Sequence, residues 1–482
     1  MNIILLSGGS GKRLWPLSND IRSKQFIKIF KKQGIPEENI LKKASSAEGT
    51  AQEEIPAEGA AQEDIPGKGV SKDEGSGEDA YESMVQRMYR GIKTVDPEAN
   101  VTVATSRSQV SAIHNQIGTD VGVSVEPMRK DTFPAIALAS AYLHDVQNIS
   151  KEEAAVICPV DPYVENDYFA ALGTLCQRAQ ESSANLVLMG IAPTYPSEKY
   201  GYIIPKTTDR FSEVSSFKEK PDAETAAQYI CKGALWNGGV FAFKLGYVLD
   251  KARELLGTDC YEDLYSGYSG LKKISFDYAV VEKEPHIEVL RFNGIWKDLG
   301  TWNTLAESMS ESSIGKVFLS DSCENTNVVN ELDVPVVVMG IKNAVIAASP
   351  EGVLVSDKTQ SSYIKPIVDR IDQQVMFAEK SWGSFRVVDV NDGSLTIHVT
   401  LMPGHRMNYH SHERRDEIWN IISGTGTVIV DGMEQKVKPG DVVTMAAGTR
   451  HTIIADGRLE VIEVQIGREI SVRDKIKYEL EV

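Results

Sequence analysis

The chain opens on an apolar run, Asn2-Ile3-Ile4-Leu5-Leu6, that stops at Ser7-Gly8-Gly9-Ser10-Gly11. A short, evenly apolar run closed by glycines predicts a strand buried on both faces, as in a parallel sheet. Val101–Ala104, Val121–Val125, Ala154–Ile157 and Leu186–Ile191 repeat the pattern, while Tyr81–Thr94 and Thr132–Val146 have helical spacing. Strands alternating with helices over about 300 residues predict a doubly wound α/β unit. Past residue 316 come short β-branched runs, Val328-Val329, Val334–Met339, Ala344–Ala348 and Gly352–Val355, which read as a small β linker region. From about residue 376, short strands punctuated by Gly383, Gly404, Gly424, Gly426, Gly432, Gly440 and Gly448 predict an antiparallel β-barrel or jelly roll. The expected divisions are 1–315, 316–372 and 373–482.

Residues 34–80 interrupt the first unit. Between 44 and 80, ten acids face two lysines, a net of −8 out of −17 for the whole chain. The stretch contains a ten-residue repeat, 47–56 and 57–66, and few large apolar residues. Such a composition cannot offset its ordering entropy, so it predicts a flexible acidic insert, with an acidic docking segment as the alternative. Over the whole chain the composition, 42% hydrophobic and 25% charged, is that of a soluble globular protein. No apolar run approaches the roughly 18–20 residues of a membrane span, and the N-terminus lacks the basic region of a signal peptide. Five dispersed cysteines without a CxxC pair fit a reduced, cytoplasmic setting. The charge of −17 argues against nucleic acid or an anionic membrane as partner. A phosphate ligand would need a local basic cluster.

One such cluster follows the first strand. Glycines there let backbone N–H groups approach phosphate oxygens, with Arg13 inside the turn and Lys24 just beyond it. The turn is not a Walker A loop, since Arg13 follows Gly11-Lys12 where Ser or Thr belongs, nor a Rossmann fingerprint, since Leu14 stands at the third glycine. Gly8-Gly9-Ser10-Gly11-x-Arg13-Leu14-Trp15-Pro16-Leu17-Ser18 with Lys24-Gln25-Phe26 resembles the signature of the mannose-1-phosphate guanylyltransferases, members of the sugar-nucleotidyltransferase superfamily. Further matches follow in order: Glu126 to Ile136, Pro159-Val160-Asp161, Tyr200-Gly201-Tyr202-Ile203 and Phe217-Lys218-Glu219-Lys220-Pro221. Trp236-Asn237-x-Gly239-x-Phe241, Ser275-Phe276-Asp277-Tyr278 and Trp296-x-Asp298-x-Gly300-x-Trp302 complete the series.

The resemblance implies a Rossmann-like nucleotidyltransferase that joins GTP and mannose 1-phosphate into GDP-mannose and pyrophosphate. It implies that Leu6, Gly8, Gly9, Ser10, Gly11, Lys12 and Arg13 hold the nucleotide, with Glu126 and Thr132 near its base. Arg13 and Lys24 would be the catalytic cations, and Asp161 and Asp298 would hold Mg²⁺, a hard ion suited to carboxylates and phosphates. Gly201, Glu219, Lys220 and Asn237 would line the sugar pocket. A homo-oligomer is the expected assembly.

A second constellation lies in the barrel. Gly404-x₅-His410-x-His412-x₄-Glu417-x₆-Gly424 and Gly440-x₅-Ala446-x-Gly448-x₂-His451 have the spacing of the two cupin motifs. His410 and His412 share a strand face. Three imidazoles and the Glu417 carboxylate suit Zn²⁺ or another divalent transition metal. Arg415-x-Glu417-x-Trp419 and Glu463-Val464-Gln465-x-Gly467 resemble the type II phosphomannose isomerase domain of bifunctional enzymes, which implies interconversion of mannose 6-phosphate and fructose 6-phosphate. Sugar binding, a structural role and oxygenase chemistry are the alternatives for the cupin. For the first unit they are another nucleotide or sugar 1-phosphate, or a non-catalytic sugar-nucleotide sensor.

Overall fold

A computed structural model describes residues 1–8, 11–19, 21–32, 80–471 and 474–480. The acidic insert, apart from Ala80, lies outside them, as do Gly9 and Ser10. Nine strands form the principal sheet: β1 (Asn2–Ser7), β2 (Asn100–Ser106), β3 (Gly122–Glu126), β4 (Ala154–Pro159), β5 (Leu186–Ile191), β6 (Tyr202–Pro205), β7 (Phe211–Lys218), β8 (Leu235–Lys244) and β9 (Ile287–Phe292). Their order is β3-β2-β1-β4-β8-β5-β9-β7-β6. β1 is central and parallel to both β2 and β4, so neither of its faces meets water. Ile3 and Leu5 enter the core on one side of the sheet and Ile4 the core on the other, all fully buried. This is the period of two that a doubly covered strand requires. β8 runs antiparallel between β4 and β5, so the sheet is mixed beyond its parallel half.

Helices cover both faces. α1 (Met84–Val95) and α3 (Asn166–Glu181) pack on the Ile3 side, and α2 (Thr132–Ala141) on the Ile4 side. Helical spacing from Tyr81 overstates α1, because Ser83 and Gln86 form a capping box that sets its start at Met84. Tyr81-Glu82 instead pairs with Phe30-Lys31. The helix expected to Val146 is α-helical only to Ala141, and Tyr142–Val146 widens into a π turn. No helix among the described residues is long and apolar enough to cross a membrane.

The linker region builds a four-stranded sheet from Ser313–Ile314, Asn327–Asn330, Ala344–Ser349 and Gly352–Asp357. Val334–Met339 yields a shorter strand, Val336–Val338, paired with Val317–Leu319. Beyond it, six-stranded and five-stranded antiparallel sheets close over Val399, Leu401, Trp419, Ile421, Val428, Ile453 and Val461, the barrel expected from the glycine turns.

The linker sheet grips the turn that leaves β1. Glu351 is buried and its Oε1 accepts from Asn19 Nδ2 (2.7 Å), Met376 N (2.9 Å) and Phe377 N (3.1 Å). Arg22 makes a two-pronged bond to Glu331 at 2.7 and 3.0 Å. Ser349 Oγ donates to the Pro16 carbonyl at 2.6 Å, and Trp302 Nε1 to the Trp15 carbonyl at 2.9 Å. Gly352, with φ of +143°, admits the Trp15 ring where a Cβ would lie 2.7 Å from it. Replacing Glu351 by Ala would orphan the Met376 and Phe377 N–H groups, at about 1–3 kcal/mol for each one buried, and leave Asn19 Nδ2 only its bond to the Phe377 carbonyl. Glu351→Ala is expected to lower the first thermal unfolding transition by several degrees while leaving the far-UV spectrum native, as differential scanning calorimetry and circular dichroism would show.

Candidate active site and metal centre

Parallel pairing puts Leu6 beside Pro159, so β1 and β4 release their following residues at one edge of the sheet. Val160 N donates to the Leu6 carbonyl at 3.2 Å, which sets Asp161 next to the Gly8 turn. Lys24 opens a short 3₁₀ turn that Gln25 ties to the end of β1, its Nε2 donating to Ser7 Oγ at 3.0 Å. Lys24 Nζ thereby reaches Asp161 Oδ2 at 2.9 Å. Asp298 arrives from far along the chain because Trp296–Asp298 pairs antiparallel with Pro162–Val164, which sets Asp298 opposite Pro162. Arg13 Nη1 and the Asp298 carboxylate lie 3.4 and 3.2–3.3 Å from the position a Cβ on Gly300 would take. Four residues spread over most of the first 300 positions thus converge: two cations and two carboxylates.

The other residues expected to hold the nucleotide are less uniform in surroundings. Lys12 Nζ lies 3.7 Å from Asp369 in the linker region. Gly8 is exposed, and Gly11 starts a 3₁₀ turn. Glu126 ends β3 and accepts from the Tyr268 hydroxyl at 2.9 Å; burial raises its carboxyl above the usual range, and the Tyr268 bond opposes that rise. Thr132 opens α2, and its hydroxyl accepts from Phe276 N at 2.8 Å.

The four expected sugar-pocket residues also meet. A Cβ on Gly201 would lie 2.4 Å from Glu219 Oε2 and 3.3 Å from the Asn237 side chain, so only glycine lets them approach. Asn237 N donates to the Gly201 carbonyl at 2.8 Å, and Lys220 Nζ to Glu219 Oε1 at 2.7 Å. Glu219 Oε2 is buried without a partner among the described residues. So is Trp296 Nε1, whose ring packs on Tyr200 beside Trp236 and Gly238. An orphaned acceptor and an orphaned donor in one place are what a polyhydroxylated ligand would satisfy.

Sequence reasoning gave Asp277 no role. Its Oδ1 accepts from Asn237 Nδ2 at 2.6 Å, while Asn237 Oδ1 accepts from Gly239 N at 3.0 Å, so Asp277 orients the amide. Burial, reinforced by the neighbouring Glu219, pushes the Asp277 carboxyl up to about 6. Its place in the Ser275–Tyr278 motif was the only signal for it.

In the barrel, His410, His412, Glu417 and His451 are all buried, and one ligand atom from each lies within 4.8 Å of the others. His410 faces His451 across an antiparallel pair. Each imidazole turns Nδ1 to a backbone carbonyl: His410 to Asn408 (2.6 Å), His451 to Thr449 (2.9 Å) and His412 to Asp474. Those bonds place the proton on Nδ1 and leave the Nε2 lone pairs facing inward, the form in which imidazole binds metal. Burial, then Lys475 and His451, pushes His410 down to about 2, so its ring is neutral. Two of these lone pairs, on His412 and His451, face the Glu417 oxygens at 3.1 Å each. The Arg415 guanidinium already meets one of these lone pairs, its Nη2 donating to His412 Nε2 at 3.0 Å; three imidazoles and a carboxylate gathered in one buried place are nonetheless a donor set that fits a divalent transition metal. Arg415 Nε donates to Glu417 Oε1 at 3.0 Å from within the barrel.

The profile of the Nucleotidyl transferase family matches residues 2–47 and 79–313, more than half of the chain. The chain belongs to that family. A Cupin domain profile matches 397–465. Among curated relatives, a putative mannose-1-phosphate guanylyltransferase of Vibrio cholerae is 26% identical over 99% of both chains. The xanthan biosynthesis protein XanB of Xanthomonas campestris is 26% identical over 99% of this chain and 97% of its own length. A crystal structure from Thermus thermophilus, named as a mannose-1-phosphate geranyltransferase, superposes with a TM-score of 0.58 at 25% identity and covers 77% of this chain and 98% of that one. The nucleotidyltransferase fold and the cupin expected from the sequence motifs are therefore both present in one chain.

Glu417→Gln is expected to reduce the divalent metal retained after dialysis at least tenfold, as inductively coupled plasma analysis would measure; unchanged metal content would exclude this cluster as the ligand set.

Proposed function

We propose that the chain is a mannose-1-phosphate guanylyltransferase that converts GTP and mannose 1-phosphate into GDP-mannose and pyrophosphate. The convergence of Arg13, Lys24, Asp161 and Asp298 at the edge of the sheet where β1 and β4 end carries this reading. The names of the full-length relatives supply the guanylyl and mannosyl parts. In the reaction a phosphate oxygen of mannose 1-phosphate attacks the α-phosphorus of GTP as the bond to pyrophosphate breaks. Two polyanions must meet in line, so positioning and charge neutralisation are the protein's main contributions. The Gly8–Arg13 turn offers backbone N–H groups to the triphosphate, and Arg13 and Lys24 offer positive charge to the transferring and leaving oxygens. Mg²⁺, when bound by Asp161 and Asp298, supplies further neutralisation of the phosphates. Glu219, held against Gly201, accepts from sugar hydroxyls, Asn237 donates to them, and Lys220 pairs with the sugar phosphate.

For the cupin we propose a resident Zn²⁺ or another divalent transition metal, and interconversion of mannose 6-phosphate and fructose 6-phosphate. The three inward-facing Nε2 lone pairs around a carboxylate favour the metal. The Arg415-x-Glu417-x-Trp419 and Glu463-Val464-Gln465 pattern favours the sugar-phosphate chemistry.

Two measurements test the transferase. Pyrophosphate release from GTP and mannose 1-phosphate with Mg²⁺ is expected in the native chain and should fall about 10²–10³-fold in Asp298→Asn. Release with another nucleotide and none with GTP would overturn the guanylyl assignment. Asp277 is ionised above about pH 6 and protonated below it, where it no longer presents a charged acceptor to Asn237. Between pH 7 and 5 the KM for mannose 1-phosphate is therefore expected to rise about tenfold, and steady-state kinetics of Asp277→Asn should show a flatter dependence.

A further inference from the structure

The interior of the cupin barrel carries two ionisable side chains outside the metal cluster, Glu463 and Lys475. Leu459–Gly467 alternates with Leu459, Val461, Glu463 and Gln465 buried, so these four face the barrel interior. Antiparallel register sets Gln465 opposite Glu417 and Glu463 opposite Trp419. Directly paired residues share a face, so Glu463 is the diagonal neighbour of Glu417, about 7–8 Å away by backbone geometry. Gln465 Nε2 donates to one Glu463 oxygen at 2.5 Å, which orients the carboxylate. The second group comes from the chain's last described segment. Ile476-Lys477 pairs with Ser411 and His410, and that register continued by one residue sets Lys475 opposite His412. The segment is anchored on both sides of Lys475: the Asp474 carboxylate accepts from Glu413 N and Arg414 N at 3.0 and 3.1 Å, and Tyr478 N donates to the Tyr409 carbonyl at 2.9 Å.

Resting on the isomerase reading above, we propose that Glu463 and Lys475 are the proton-transfer pair of the cupin. In the forward direction the Glu463 carboxylate takes the proton from C2 of open-chain mannose 6-phosphate. The C2–H electron pair forms the C1–C2 double bond, and the C1 carbonyl oxygen takes a proton from the Lys475 ammonium, giving an enediol. The Lys475 amine then takes the O2 proton as C2 becomes the carbonyl, and Glu463 returns its proton to C1. Atoms and electrons balance without an oxidant or reductant.

The test uses the full chain loaded in turn with Zn²⁺, Mn²⁺, Fe²⁺, Co²⁺ or Ni²⁺, with Glu463→Gln and Lys475→Met beside the native sequence. Three readouts are taken: metal bound per chain, kcat and KM for fructose 6-phosphate formation, and deuterium uptake at C2 of mannose 6-phosphate in D₂O. The expected result is native metal content and native melting in both variants, with kcat reduced 10²–10⁴-fold, KM little changed, and C2 exchange abolished in Glu463→Gln. A metal-loaded Glu463→Gln that keeps kcat and exchange within threefold would overturn the pair, as would a loss of activity that tracks a loss of metal. A native chain that neither isomerises nor exchanges with any of the five metals would instead overturn the isomerase reading itself.

Discussion

The segment that leaves β1, from Trp15 to Arg22, is held in place from more than 300 residues away, and the first site depends on that grip. The anchors come from the linker sheet: Glu351 on Asn19, Ser349 on Pro16, Glu331 on Arg22, and Gly352 as the seat of Trp15. The region between the two larger units is therefore part of the architecture of the first site and not a passive tether. It also touches the second, because Met376 and Phe377 share the same Glu351 carboxylate at the entrance to the barrel.

How far the sequence was legible depends on how local each cause was. Ile3 and Leu5 against Ile4 is a pattern written in five residues, and β1 lies where that pattern predicts. The pairing of Lys24 with Asp161 was within reach only through motif order, since nothing local tells two residues 137 apart that they will sit 2.9 Å from each other. Asp277 and Lys475 escaped a role because an isolated acid or a lysine near a chain end reads as solvated. Their meaning comes from register: Asp277 reaches Asn237 across elements, and Lys475 faces the barrel through the pairing of Ile476 with Ser411. Glu351, with three donors on one oxygen, has no sequence signature at all.

The same distinction governs the electrostatics. A chain of formal charge −17 is a poor global attractor for nucleotides and sugar phosphates. Two of its cations, Arg13 and Lys24, are instead gathered locally, on the edge of the sheet where β1 and β4 end, beside the carboxylates of Asp298 and Asp161. In the barrel the order is reversed: three imidazoles fixed by carbonyls surround one carboxylate, a donor set that fits a divalent cation.

The clamp on the nucleotide turn also has a consequence for biosynthesis. Asn19 and Glu351 are 332 residues apart, and Arg22 and Glu331 are 309 apart. Contacts of such separation form late, because the entropy of closing the loop precedes any gain from the contact. On a ribosome adding about 5–20 residues per second, roughly 20–60 s pass between the emergence of the turn and that of its anchor. A segment made early is thus finished late, and a nascent chain truncated before its linker carries that segment without the frame that holds it.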